Sequence, residues 1–227
     1  MLICEHSARA IPQALRGLAP PEEIVDSHRG WDIGAGDLAR RVSHALDAPL
    51  VLQRYSRLVI DCNRPPGVPS SIPVISDHEE ISFNSGLTEA DRQARMEEIF
   101  QPFDRAISKL LKDRKRSAAF SIHSFTPRMD GRDRPWNAGV LTRRSVPTAQ
   151  ALMASLRRQD PSLMLALNEP YQITDDTDWF IPRHAEPWGL PHSLIEIRND
   201  QLRDADGVNR WANLLTKSIA DFMEAQI

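Results

Sequence analysis

Apolar positions along this chain follow two alternating rhythms, short unbroken runs and longer stretches spaced three and four residues apart. The runs Leu2–Cys4, Pro49–Leu52, Leu58–Ile60, Ala118–Ile122, Ala138–Leu141, Leu163–Leu167 and Ser193–Ile197 read as short strands, the two at 49–52 and 58–60 as neighbours. Between them, Pro20-Pro21-Glu22-Glu23 opens a helical turn, and Leu38, Val42, Ala45 and Leu46 keep helical spacing from Gly34 onward. Thr88-Glu89-Ala90-Asp91 caps a clear helix whose inner face is Met96, Ile99, Phe103, Ile107, Leu110 and Leu111. Pro102 is expected to kink or divide it, having no N–H to give and a ring that crowds the preceding turn. Helices over Thr148–Arg158 and Gly207–Ala225 complete an alternation that predicts an α/β domain.

Two stretches break the rhythm. Residues 64–87 are rich in Pro, Ser and Gly, and Pro127–Pro135 carries five charged residues. Long irregular segments in a compact domain are more often functional than idle, so both are expected beside the site as sources of specificity.

Composition narrows the class. A chain of 227 residues suits a single domain over 1–227 with a full core, and 41% hydrophobic with 26% charged residues is ordinary for a soluble globular protein. A net charge of −3 gives no electrostatic case for nucleic acid, and the basic run Lys109–Arg116 reads as the close of a helix, where cations suit the dipole. No apolar segment approaches the roughly 18 residues of a membrane helix. Met1-Leu2-Ile3 runs directly into polar Glu5-His6-Ser7, unlike a secretory signal, and a start inside a strand leads us to expect a short preceding piece. Cys4 and Cys62 make no disulfide framework; both read as buried free thiols in a reducing cytoplasm.

The chemistry collects where apolar runs meet polar residues, which is where an open α/β sheet presents side chains to a cleft. His6 and His123 each follow a strand and each is flanked by serine. Either alone would more often be structural, but two in one domain point to a hydrolytic zinc site, which needs a third ligand and leaves one position for water. Asp32, His28 and Glu5 are the candidates, in that order and without strong separation. Asp32 could instead cap the following helix, His28 could join it only if 28–32 is helical, and Glu5 would point away from His6 in a strand. Glu196, inside the apolar Leu194–Ile197, needs a partner or a role; Arg198 could pair with it, or it could serve as general base. Asn63 and Arg64 could hold a substrate carboxylate, and Arg57 could stabilise an oxyanion or simply pair with Asp61. His184, His192 and Trp188 could line the pocket, although structural roles are the commoner outcome for each.

Taken in order, Cys-Glu-His-Ser with a following Ile-Pro, His-Arg-Gly-Trp-Asp-Ile-Gly-Ala, Ser-Arg-Leu-Val-Ile-Asp-Cys-Asn-Arg-Pro, Ile-His-Ser-Phe-Thr-Pro, Asn-Glu-Pro-Tyr and Ile-Glu-Ile-Arg-Asn resemble the N-formylglutamate amidohydrolase family across nearly the whole chain. The resemblance implies a zinc-exopeptidase-like fold, similar to zinc carboxypeptidases and aspartoacylases, with a mixed, mostly parallel sheet flanked by helices. It implies hydrolysis of an N-formyl or N-acyl amino acid. By it, His6, Asp32 and His123 match the metal ligands, Arg57 the carbonyl-polarising arginine, Asn63 and Arg64 the carboxylate clamp, and Glu196 the base. Asn168-Glu169-Pro170-Tyr171 would shape the far wall. The carboxypeptidase His-x-x-Glu is absent, since Ser7-Ala8-Arg9 follows His6.

The expectation is one zinc ion, or another divalent metal, acting on a small carboxylate-bearing substrate with neither nucleic acid nor membrane as partner; oligomeric state is not readable. Within the hydrolases the rival is carboxypeptidase-like cleavage of a short peptide or amide. From another class it is a non-catalytic zinc- or anion-binding protein. A serine hydrolase is disfavoured because no Gly-x-Ser-x-Gly elbow occurs, and a nucleotide enzyme because no Gly-rich phosphate loop does.

Overall fold

A computed structural model describes residues 1–113 and 115–226. Among these residues ten strands and six α-helices follow one another: β1 Leu2–Cys4, α1 Glu22–Val25, α2 Ala35–Ala45, β2 Leu50–Leu52, β3 Ile75–Ser76, β4 Glu79–Glu80, α3 Glu89–Arg95, α4 Gln101–Asp113, β5 Ala119–Phe125, β6 Arg128–Met129, β7 Arg132–Asp133, β8 Ala138–Leu141, α5 Val146–Gln159, β9 Leu165–Leu167, β10 His192–Arg198 and α6 Ala205–Glu224. Six strands form one mixed sheet in the order β2-β1-β5-β10-β8-β9, parallel except where β8 meets β10. The pairs β3–β4 and β6–β7 are separate hairpins inside the two irregular segments. The single mixed α/β architecture read from the sequence is what the chain adopts. No helix among the described residues is long and apolar enough to cross a membrane.

The strand order places the site. From β1 the chain goes through α2 to β2 on one side, then returns to β5 on the other side of β1. The crevice between the carboxyl ends of β1 and β5 is therefore a topological switch point, where such sheets bind ligands.

The two faces of the sheet are covered differently. Leu2, Cys4, Phe120, Ile122, Val140, Ile195 and Ile197 pack with residues of α2, α5 and α6, including the fully buried Trp211. On the other face, Ile3, Ala119, Leu141 and Leu194 pack with Leu58, Ile60, Phe83, Ile99, Phe103 and Ile107. Alternation along a strand then assigns Glu5, Ser121, His123 and Glu196 to this second face.

Most element expectations hold within a residue or two. Thr88 and Asp91 form a reciprocal capping box. Pro102 acts through the turn before it, for Met96–Phe100 widen into a π-turn between α3 and α4. Leu58–Ile60 is a correction: it is not a strand. Val59 N–H donates to Ser56 and Asp61 N–H to Ser71, so the run folds as a turn and buries its side chains under the sheet. An apolar run of that length carries no period that tells strand from buried turn. Arg114, within the basic run, lies outside the described residues.

Gly139 of β8 is opposite Glu196, and the loop after β9 crosses directly over it: an added Cβ would sit 1.7 Å from the Glu169 carbonyl oxygen. Gly139→Ala should therefore destabilise the fold by about 1–3 kcal/mol or more, as overpacking of a tight contact does. The expected sign is a lower urea midpoint at unchanged slope, and an unchanged midpoint would show that the loop lifts away freely.

Candidate metal centre

His6, Asp32 and His123 are all buried, and one ligand atom from each lies within 4.8 Å of the others. His123 comes from β5, in register with Glu196 of β10. His6 sits in the turn after β1, whose carbonyl receives the Asp32 N–H at 2.9 Å. Asp32 does not cap α2, for Gly34 holds the N-cap position and the Asp32 side chain turns inward. Gly36 lets α2 start against that turn, since a Cβ there would meet the Ser7 carbonyl at 2.4 Å.

Both imidazoles turn Nδ1 toward Asp32 Oδ2, at 3.3 Å from His6 and 2.8 Å from His123. Both tie Nε2 to a second carboxylate: Asp61 Oδ1 lies 2.7 Å from His6, and Glu5 Oε2 3.0 Å from His123. Ser121 donates to the same Glu5 oxygen. Carboxylates behind the imidazoles fix ring orientation and raise ligand basicity, as they do behind metal-bound histidines. Two nitrogens and a carboxylate oxygen facing one point, each imidazole anchored from behind, are a donor set that fits a zinc ion. Glu5 therefore supports His123, and it is not in the converging group.

Without a cation the cluster is strongly polarised. Burial opposes charge on His123, but Glu5 and Asp32 raise its pKa well above the usual histidine range. Burial also opposes ionisation of Asp61, which Arg57 and His6 nevertheless hold well below the usual carboxylate range. Glu196 differs. Burial pushes its carboxyl up to about 7, with His123 opposing and Asp32 adding to the rise. Its Oε2 is buried and has no hydrogen-bond partner among the described residues. Arg198, the alternative partner, turns to Asp200 and to backbone carbonyls at 134 and 135.

His6, Asp32, Asp61, His123 and Glu196 line a cavity of about 640 Å³ together with Arg57, Asn63, Arg64 and Tyr171. Arg57 does pair with Asp61, through Nε at 3.1 Å and Nη2 at 2.7 Å, while Nη1 lies 3.5 Å from Asp32 Oδ1. Asn63 is largely committed to the protein. Its oxygen accepts the N–H groups of Trp179 and Phe180, and its amide nitrogen donates to Asp178. Arg64 donates to the Thr177 carbonyl and keeps a quarter of its side chain exposed. His28 is not in the cluster; 28–32 is not helical, and its Nε2 lies 2.6 Å from Asp77 in the β3–β4 turn. His184 bonds Asp104, His192 bonds the Leu190 carbonyl, and neither they nor Trp188 line this cavity. Pro170 and Tyr171 do form part of its wall. Cys4 and Cys62 are buried free thiols.

The switch point of a mixed sheet thus gathers a buried His–Asp–His group that could hold a metal ion, beside a buried carboxylate. The chain belongs to the N-formylglutamate amidohydrolase family, whose profile matches residues 1–203, and it is thus a hydrolase acting on amides. The crystal structure of gene product Atu2144 from Agrobacterium tumefaciens is similar at 35% identity and TM-score 0.93, over 100% of this chain and 91% of that one. The N-acetylmuramyl-L-alanine amidase Ami1 from Mycobacterium smegmatis shares the fold at 13% identity and TM-score 0.50, over 99% and 96% of the two chains. So does the CwlD amidase from Clostridioides difficile, solved with the GerS lipoprotein, at 10% identity and TM-score 0.50 over 99% and 98%. No curated protein matches the sequence.

Proposed function

We propose that the chain hydrolyses the amide of an N-formyl or N-acyl amino acid, N-formylglutamate being the first to test, with one zinc ion held by His6, Asp32 and His123. Products are formate, or another carboxylate, and a free amino acid, a step suited to amino-acid catabolism. The observation that carries the reading is the unpartnered Glu196 oxygen, in one cavity with the His–Asp–His group, Arg57 and Arg64. Two buried free thiols support a reducing, cytoplasmic setting.

When bound there, zinc supplies Lewis-acid polarisation of the scissile carbonyl and makes water more acidic. Glu196 takes the proton as water attacks the carbonyl carbon, then delivers it to the leaving nitrogen; a carboxyl near 7 suits both halves of that transfer. Arg57, fixed on Asp61 by Nε and Nη2, presents Nη1 to the oxygen that gains charge. Arg64 binds the amino-acid carboxylate. Asn63 contributes to that clamp only the second N–H of its amide, because its oxygen already holds Trp179 and Phe180.

Elemental analysis of the purified protein, paired with a formate-release assay on N-formylglutamate with and without chelator, tests both halves. Near one equivalent of zinc and chelator-sensitive formate release is the expected result. Metal without turnover would move the substrate to other acyl amino acids, and no metal uptake after zinc is added back would sink the centre.

A further inference from the structure

The active-site cavity has a neighbour. A second cavity of about 530 Å³ is walled by Arg132, Arg134, Trp136 and Glu169, and it shares Met129 and Pro170 with the first. Tyr171 lines the active-site cavity and Arg134 the other. The two side chains are joined. Arg134 Nη1 donates to the Tyr171 hydroxyl at 2.9 Å, and the guanidinium carbon lies 4.9 Å from the phenol ring centroid. Arg134 Nη1 also lies 3.3 Å from the Thr126 hydroxyl, and its Nη2 lies 3.1 Å from Met129 Sδ.

From this we infer that Tyr171, braced by Arg134, is the specificity-determining wall that limits the active site to short amides, and that removing it opens a second subsite for longer ones. Small-molecule sites run to about 1,000 Å³, and each cavity alone falls within that size. Joined, the two exceed it. Tyr171 is suited to the part because it is half exposed and makes no hydrogen bond to the His–Asp–His group, so it bounds the cavity without building its centre. The second cavity offers an extended substrate the Trp136 ring, the cations of Arg132 and Arg134, and the carboxylates of Asp133 and Glu169. Such a lining suits the mixed polar and apolar character of a peptide. Arg134 is a positioning residue, acting through the ring it holds.

This inference rests on the amide-hydrolase reading above, and the experiment separates the two. For the zinc-loaded wild type, Tyr171→Ala, Tyr171→Phe and Arg134→Ala, kcat/KM would be measured on an N-formyl amino acid, the matching N-formyl dipeptide and the matching N-hexanoyl amino acid. Wild type should favour the short substrate. Tyr171→Ala should shift the ratio toward one longer substrate by about tenfold or more, the scale on which pocket size discriminates. Arg134→Ala and Tyr171→Phe should shift it in the same direction by less, and Arg134→Ala should add nothing in the Tyr171→Ala background. A merely structural role would lower all rates together and leave the ratio unmoved. An unchanged ratio in Tyr171→Ala, with wild type active, overturns the wall and leaves the hydrolase reading intact. A folded, zinc-loaded wild type inactive on every substrate overturns both.

Discussion

Glu196→Gln should keep the metal and lose turnover by about 10² to 10⁴, the range by which a positioned general base contributes. Glutamine preserves the size and most of the shape of the side chain, so packing against β5 and β8 is retained while the proton acceptor is removed. The metal should stay because Glu196 lies outside the converging group and makes no hydrogen bond to either imidazole. The loss should fall on kcat with KM little changed, as expected for an interaction made chiefly in the transition state. The assay is formate release alongside metal content on the same preparation. Normal turnover would remove Glu196 from the reaction, whereas loss of metal together with activity would make it a ligand.

Why Glu196 could be picked out at all is a matter of background. Strands of a mostly parallel sheet, covered on both faces, read as nearly continuous apolar runs, so a carboxylate among Leu194, Ile195 and Ile197 stands out. His6 and His123 stand out for the same reason, His6 just after Leu2–Cys4 and His123 inside β5, which runs on to Phe125 beyond the end expected from the apolar run. Asp32 was less legible, because an aspartate before a helix has an ordinary capping role, and only the turn after β1 brings it to the imidazoles.

What escaped is mostly what long-range packing decides. Asp61 reads locally as a partner for Arg57, four residues away, and it is one; that it also anchors His6 depends on how residues 56–64 fold beneath the sheet. Asn63 has the right chemistry for a substrate clamp, yet its amide is largely used by Asp178, Trp179 and Phe180 from a distant loop. Such loops have no period to read. Glu5 and Ser121 did have a usable signal. Counting by twos from Ile3 and Ala119, whose side chains are buried on the second face, puts Glu5, Ser121 and His123 together there, which marks Glu5 as support for His123.

The same anchoring sets the outcome for the histidines. His6→Ala removes one of two nitrogens and leaves Asp61 and Asp32 facing an empty space, and His123→Ala strands Glu5 and Asp32 in the same way. Two remaining donors do not make a hydrolytic zinc site, which takes three from the protein. Each variant should therefore fall from near one equivalent of zinc to a small fraction of it and lose detectable turnover. Breaking a buried, charge-paired group also costs stability, about 3–5 kcal/mol where one partner is removed. Asp32→Asn keeps the shape of the third donor while weakening it, and circular dichroism on all three variants separates a lost site from a lost fold. A folded His6→Ala protein with full activity would show that the His–Asp–His group is a structural cluster and that the chemistry is done elsewhere. Zinc lost from all three folded variants, with Glu196→Gln still loaded, would separate metal binding by His6, Asp32 and His123 from the role of Glu196 on β10.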